Sequence, residues 1–192
     1  MGGRRGGQTR RRSRSIPSAE YDRRVRTVRS AMVANETGAL LLASPENICY
    51  LTGLDHYGYF ATTLLIVPGD GPLRIVARQM ERPTLAAQVP HCEHFAYADG
   101  QDPAAAAARA LGSAVSAPAT VGAELSSMYL PVDVWSALQC ALPNLAWSGI
   151  SPLLASQRAI KSPRRDRPRA RGGRRLRPGH ASRHRCGPAG RH

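Results

Sequence analysis

A chain of 192 residues, 42% of them apolar, has room for one packed domain with extensions, and no apolar run approaches the ~18 residues that span a bilayer, so no membrane partner is expected. The net charge of +14 suggests a nucleic-acid partner until it is divided. Residues 1–17 hold six arginines and no acid, and residues 164–192 eleven arginines and one aspartate, but residues 18–163 hold ten basic against twelve acidic side chains, a near-neutral domain without the basic surface a polyanion needs.

Residues 1–17 alternate Gly, Arg, Ser and Gln, a composition that predicts disorder. The segment reads either as a phosphate-contacting arm or as an unselected extension, and it has no interleaved aromatic residue to stack on bases. Ser18 is placed to cap a helix running to about Glu36. Tyr21, Val25, Val28 and Met32 recur on one face of it, and Arg23, Arg24, Arg26 and Arg29 populate the other, solvated face.

An apolar run, 39–43, has the length and branching of a buried strand bounded by Gly38 and Pro45. Pro45 ends that strand, and Asn47 is suited to bond backbone amides and start a short helix. Ile48, Tyr50 and Leu51 then pack back on the sheet. Gly53 permits a sharp exit into the loop 54–60, which crowds Asp55, His56, Tyr57, Tyr59 and Phe60 together before a strand at 62–67. The turn 68–72 leads to a partner strand at 73–77, so the sheet is mixed. A helix with Pro83 in its first turn follows, then a strand at 94–97. Asp102 and Pro103 cap an Ala-rich helix to Leu111, and 119–123 is a strand. Pro131 opens a helix with Val134, Leu138 and Leu142 on one face; a strand at 145–147 and a helix at 150–159 follow. Strands alternating with helices predict an α/β layered domain.

His91-Cys92-Glu93-His94 is the one cluster of metal-type ligands in the sequence. On a strand, positions three apart face opposite sides, so His91 and His94 do not converge, and the segment reads as a surface strand. Cys49, Cys92, Cys140 and Cys186 stand far apart without a CxxC pair, and residues 1–15 hold no secretory apolar run; a reduced, cytoplasmic setting is expected.

The run Pro45-Glu46-Asn47-Ile48-Cys49-Tyr50-Leu51-Thr52-Gly53 resembles the signature of the N-terminal domain of the creatinase, prolidase and aminopeptidase P group, the pita-bread metallohydrolases. Its signature positions are Pro45, Asn47, Tyr50, Leu51, Thr52 and Gly53. Glu20-Tyr21-Asp22-Arg23-Arg24, Val121-Gly122-x-Glu124 and the hinge-like Arg158-x-Ile160-Lys161-Ser162 agree with the group in order and spacing. The resemblance implies a three-layer α/β/α domain with a mixed sheet and ribonuclease H-like topology at 18–157. A hinge at 158–163, carried by Arg158 and Lys161, would follow, with basic extensions at 1–17 and 164–192.

The group's chemistry is a two-metal hydrolysis of Xaa-Pro peptides or small amidines such as creatine, with divalent Mn, Zn or Co held by a separate C-terminal domain. After Lys161 this chain has 31 residues with one Asp and no Glu. The expectation is therefore a non-catalytic domain without a cofactor of its own, from a truncated gene product, that forms a homodimer or docks on a full-length paralogue. His56, Tyr57 and Tyr59 are the candidates for facing a substrate cleft, the bland alternative being loop packing. Two other readings stay open: a regulatory module, and a basic-tailed nucleic-acid binder, although no specific nucleic acid is expected. Residues 164–192 have the composition of GC-rich coding sequence read out of frame, the competing reading being an evolved basic tail.

Overall fold

Period-two alternation organises the centre of the molecule, for which a computed structural model describes residues 17–55 and 61–159. In β1 (Thr37–Leu42) Ala39 and Leu41, with Ala43 just past its end, pack on one side of the sheet, and Leu40 and Leu42 on the other. β2 (Leu64–Pro68) divides the same way, with Leu64 and Ile66 opposite Leu65 and Val67; so does β3 (Arg74–Arg78), with Val76 opposite Ile75 and Ala77. β1 begins two residues earlier than the apolar run because Thr37 already pairs with Thr120.

α1 (Ser18–Ala34) buries Val28 and Met32 and half-buries Tyr21 and Val25 along the anticipated face. Its start differs from expectation. Ser18 is the first helical residue, Pro17 holds the cap position, and no side chain caps the end. The helix stops at Ala34 because Glu36 takes a left-handed φ of 50°. α2 (Pro45–Thr52) follows β1 directly, with Pro45 at its first position, where the missing N–H is harmless. A 3₁₀ turn (Gln79–Glu81) leads into α3 (Arg82–Gln88), then β4 (Glu93–Tyr97) and α4 (Pro103–Gly112). Asp102 caps α4 as its sequence predicts, its carboxylate accepting from Ala104 N–H at 2.8 Å. β5 (Ala119–Ala123), α5 (Val132–Ala141), β6 (Leu145–Gly149) and α6 (Ser151–Ala159) complete the described domain.

The six strands lie in the order β4-β3-β2-β1-β5-β6. β2 runs antiparallel to β1 and β3, and the other pairs are parallel, which makes the sheet mixed. One face packs on the Ala-rich side of α4 and on Val134 and Leu138 of α5. The other packs on Val28 and Met32 of α1, Ile48 and Leu51 of α2, Leu85 of α3 and Leu154 of α6. The result is the three-layer α/β/α arrangement. Among the described residues no helix is long and apolar enough to cross a membrane.

Candidate functional site

The carboxyl ends of β1 and β5 lie side by side, and one carboxylate joins them. Glu124, the residue after β5, is 7% exposed. Its Oε2 accepts from the backbone N–H groups of Ala43 (3.0 Å) and Ser44 (2.9 Å). Its Oε1 accepts from Ser44 Oγ (2.6 Å) and from Asn47 Nδ2 (2.5 Å). Hydrogen bonds to a charged group each contribute about 1.5–3 kcal/mol, so four of them offset the desolvation of this carboxylate. Asn47, also buried, turns its Oδ1 the other way and accepts from Arg158 Nη1 on α6 at 3.0 Å. A positive charge on the last turn of α6 thus reaches Glu124 through one amide.

This corrects the expectation for Asn47. It caps no backbone amide, because Ser44 O already accepts from Asn47 and Ile48 N–H, both at 3.0 Å, and the side chain is drawn to the carboxylate instead. Gly122 lets the pieces meet. A Cβ there would stand 2.5 Å from Ile150 Cγ2 and 2.8 Å from Leu40 Cδ2, so any side chain would push the approach to α6 off the sheet.

A second cluster sits at the other end of α2. Arg24 is 3% exposed, against the expectation of a solvated face. Its Nη1 donates to Tyr50 O at 2.7 Å, its Nε to Glu20 at 3.2 Å, and its guanidinium lies 4.4 Å from the Tyr50 ring centre and 5.3 Å from that of Tyr21. These partners supply what water would have given. Arg29 is half-buried, donating to Pro68 O at 3.0 Å and to Gly71 O. Tyr50 therefore serves α1 while also packing, partly buried, against the same core as Ile48 and Leu51, as anticipated. Gly53 closes α2 at φ 84°, and a Cβ there would meet the Tyr21 ring at 2.8 Å. Thr52 Oγ1 donates to Ile48 O and accepts from Leu54 N–H.

Every described signature residue therefore has a structural task. Pro45 opens α2, Asn47 relays to Arg158, Tyr50 covers Arg24, Leu51 fills the core, and Thr52 and Gly53 turn the chain. The signature leads directly into the segment 54–60. Leu54 is buried, Asp55 N–H donates to Gln88 Oε1 at 2.9 Å, and beyond the segment Thr62 O accepts from Tyr97 OH at 2.7 Å. His56, Tyr57 and Tyr59, between these anchors, and Lys161 of the hinge lie outside the described residues.

His91 is exposed in the turn before β4, and Glu93 pairs with Arg74 at 3.1 Å. Cys92 is mostly buried, which pushes its thiol up to about 12. Among the described residues no three His, Cys, Asp or Glu side chains are grouped to hold a metal ion. Sequence reasoning missed the roles of Glu124 and Arg24. The available signals were an acid ending an otherwise apolar strand, and a Glu20–Arg24 spacing of four on one helix face.

The profile of the Creatinase/Prolidase N-terminal domain matches residues 24–160. An uncharacterised hydrolase/peptidase of Sinorhizobium fredii, y4tM, is 28% identical over 155 residues, covering 76% of this chain and 40% of that protein. The chain thus spans well under half of that relative. Among solved structures, prolidase from Thermococcus sibiricus superposes with a TM-score of 0.65 at 22% identity over 74% of this chain and 38% of that one. The creatinase/prolidase N-terminal domain of an X-Pro dipeptidase from Streptococcus pyogenes superposes with a TM-score of 0.57 at 18% identity, covering 70% of this chain and 98% of that domain. Both solved structures share the fold described above.

Proposed function

Because the chain belongs to the creatinase/prolidase N-terminal domain family, we propose that it acts as the dimerising, cleft-forming domain of a Xaa-Pro peptidase or creatinase-type hydrolase and performs no hydrolysis itself. One observation carries this reading: the described signature side chains are engaged in packing, capping and the Glu124–Asn47–Arg158 relay, and the segment they present lies between two anchored ends. A loop anchored at both ends between a helix and a core strand is suited to wall a site whose reacting groups come from elsewhere. His56, Tyr57 and Tyr59 are its candidates for touching a peptide, and Arg158 with Lys161 its candidates for the hinge.

Two assays test it. The purified chain, given Mn²⁺, Zn²⁺ or Co²⁺, is expected to release no proline from Xaa-Pro dipeptides and to leave creatine intact. A chimera in which residues 18–159 replace the matched part of the T. sibiricus prolidase is expected to fold and to retain metal-dependent dipeptide hydrolysis. Chelator-sensitive turnover by the homogeneous chain alone would overturn the reading. So would a folded, metal-loaded chimera that fails to hydrolyse the dipeptide.

A further inference from the structure

Helical periodicity leaves α4 with one exposed stripe that carries opposite charges at its two ends. Ala104, Ala106, Ala107, Ala110 and Leu111 face the core. Asp102, Ala105 and Arg109, at spacings of three and four, lie on the other side, and all three are exposed. Seven positions separate the acid from the base, about 10 Å along a helix axis, which is too far for the two to pair across one turn. Among the described residues neither has an ion-pair partner. The neighbouring cations are already taken, Arg78 by Asp99 and Arg74 by Glu93.

Between those ends lies a cleft of about 250 Å³, lined by Tyr97, Gln101, Asp102, Ala105, Ala106 and Arg109. Its floor is preformed. Tyr97 is buried and its hydroxyl donates to Thr62 O at 2.7 Å, which fixes the ring. Ala105 and Ala106 add only methyl groups, which keeps the space open. The polar groups at the rim have bonding capacity left. Asp102 caps Ala104 N–H with Oδ1, and among the described residues its Oδ2 has no donor. Gln101 accepts from Ala98 N–H with Oε1, which leaves its amide N–H groups for another acceptor. Arg109 makes one long bond, 3.4 Å to Ala96 O, out of the five donors a guanidinium carries.

We infer that this cleft binds a small zwitterion, a free α-amino acid or a short peptide, with its ammonium on Asp102 and its carboxylate on Arg109. The ligand's chemistry follows from that of the two ends. A simple anion would meet the repulsion of Asp102 and a simple cation that of Arg109, whereas a molecule carrying both charges satisfies each end at once. A guanidinium takes a carboxylate through two parallel N–H donors, and Gln101 supplies a further amide donor for it. The volume lies just below that of drug-sized sites, so the ligand is small, and the floor of Tyr97 and the alanines suits an aliphatic side chain or ring. The inference needs only the residues of the cleft and does not rest on the role proposed above.

Titration of the isotope-labelled full chain, followed by its backbone amide and arginine Nε–H NMR signals, tests it. The probes are alanine and alanyl-alanine, each beside its N-acetylated form, which lacks the ammonium, and its amidated form, which lacks the carboxylate. Between about 0.1 and 10 mM, a range that spans the affinity two exposed charge contacts allow, the zwitterions are expected to shift Ala105, Ala106 and Arg109 saturably. The blocked forms are expected to bind about tenfold more weakly or worse. The tighter of the two zwitterions tells a free amino acid from a peptide. Asp102→Asn keeps a capping side chain and Arg109→Gln keeps a good helix former. Both are expected to melt as the wild type does and to lose about tenfold in affinity. Arg109→Gln is further expected to erase the preference for a free carboxylate over its amide, and Asp102→Asn the preference for a free ammonium, which assigns each end. No saturable shift, blocked forms that bind as tightly, shifts confined to other parts of the chain, or variants with wild-type affinity would each overturn the inference. The hydrolysis and chimera assays stand whichever way this titration goes.

Discussion

Arg24 and Glu20 show how a surface-looking helix face comes to hold buried charge. Arg24 lies between two tyrosine rings, with one N–H on a carbonyl and another on Glu20. Glu20 in turn takes two hydrogen bonds from Arg23, at 2.9 and 3.1 Å, and these, ahead of Arg24's contribution, hold its carboxyl at about 2 against an ordinary 4.5. A carboxylate depressed on folding stabilises the folded chain fully above 4.5 and loses that contribution as pH falls toward 2. Arg23 is half exposed, so solvent screening leaves about 1 kcal/mol. Glu20→Gln is therefore expected to cost about 1 kcal/mol at pH 6 and about a quarter of that at pH 2.5, read from urea midpoints. Equal costs at both pH values would show that the carboxylate's charge contributes nothing.

Single elements depend on groups that lie far away in sequence. α2 starts at Pro45 for local reasons, but its first turn is held by Glu124, 80 residues downstream of Ser44. α6 is held by Arg158 through Asn47, a separation of 111 residues. Removing the hub and removing its outer partner should therefore differ in kind. Glu124→Ala leaves two backbone N–H groups and an amide without their acceptor and is expected to destabilise the whole domain by about 2–4 kcal/mol. Arg158→Ala is expected to cost about 1 kcal/mol and to raise amide exchange in α6 while β1 and β5 stay protected. Unchanged exchange in α6 would remove the relay from the account of how the chain leaves the domain.

At the scale of the molecule, charge and fold are separate matters. The residues from 18 to 163 are nearly neutral, and the arginine excess belongs to the two ends. Arginines that meet only phosphates give binding that is weak, indifferent to sequence and steeply weakened by salt. Fluorescence anisotropy with labelled duplex DNA is expected to show such binding for the full chain and none for residues 18–159. Binding retained by the trimmed domain would return a nucleic-acid role to it.

The sequence by itself determined the elements and their sides. The short apolar runs at 39–43 and 62–67, the spacing of Val28 and Met32, Asp102 before Pro103, and Gly53 after Thr52 are local signals, and a local signal can be read from neighbours along the chain. It also carried the family, because the signature residues are contiguous along the chain. Only the tertiary structure decided which polar groups are buried. Arg24 and Glu124 look like any surface arginine or acid in sequence, and Asn47 looks like a capping residue. What separates them is a partner 26, 77 or 111 positions away, placed by the parallel pairing of β1 with β5 and the return of α6 across the sheet.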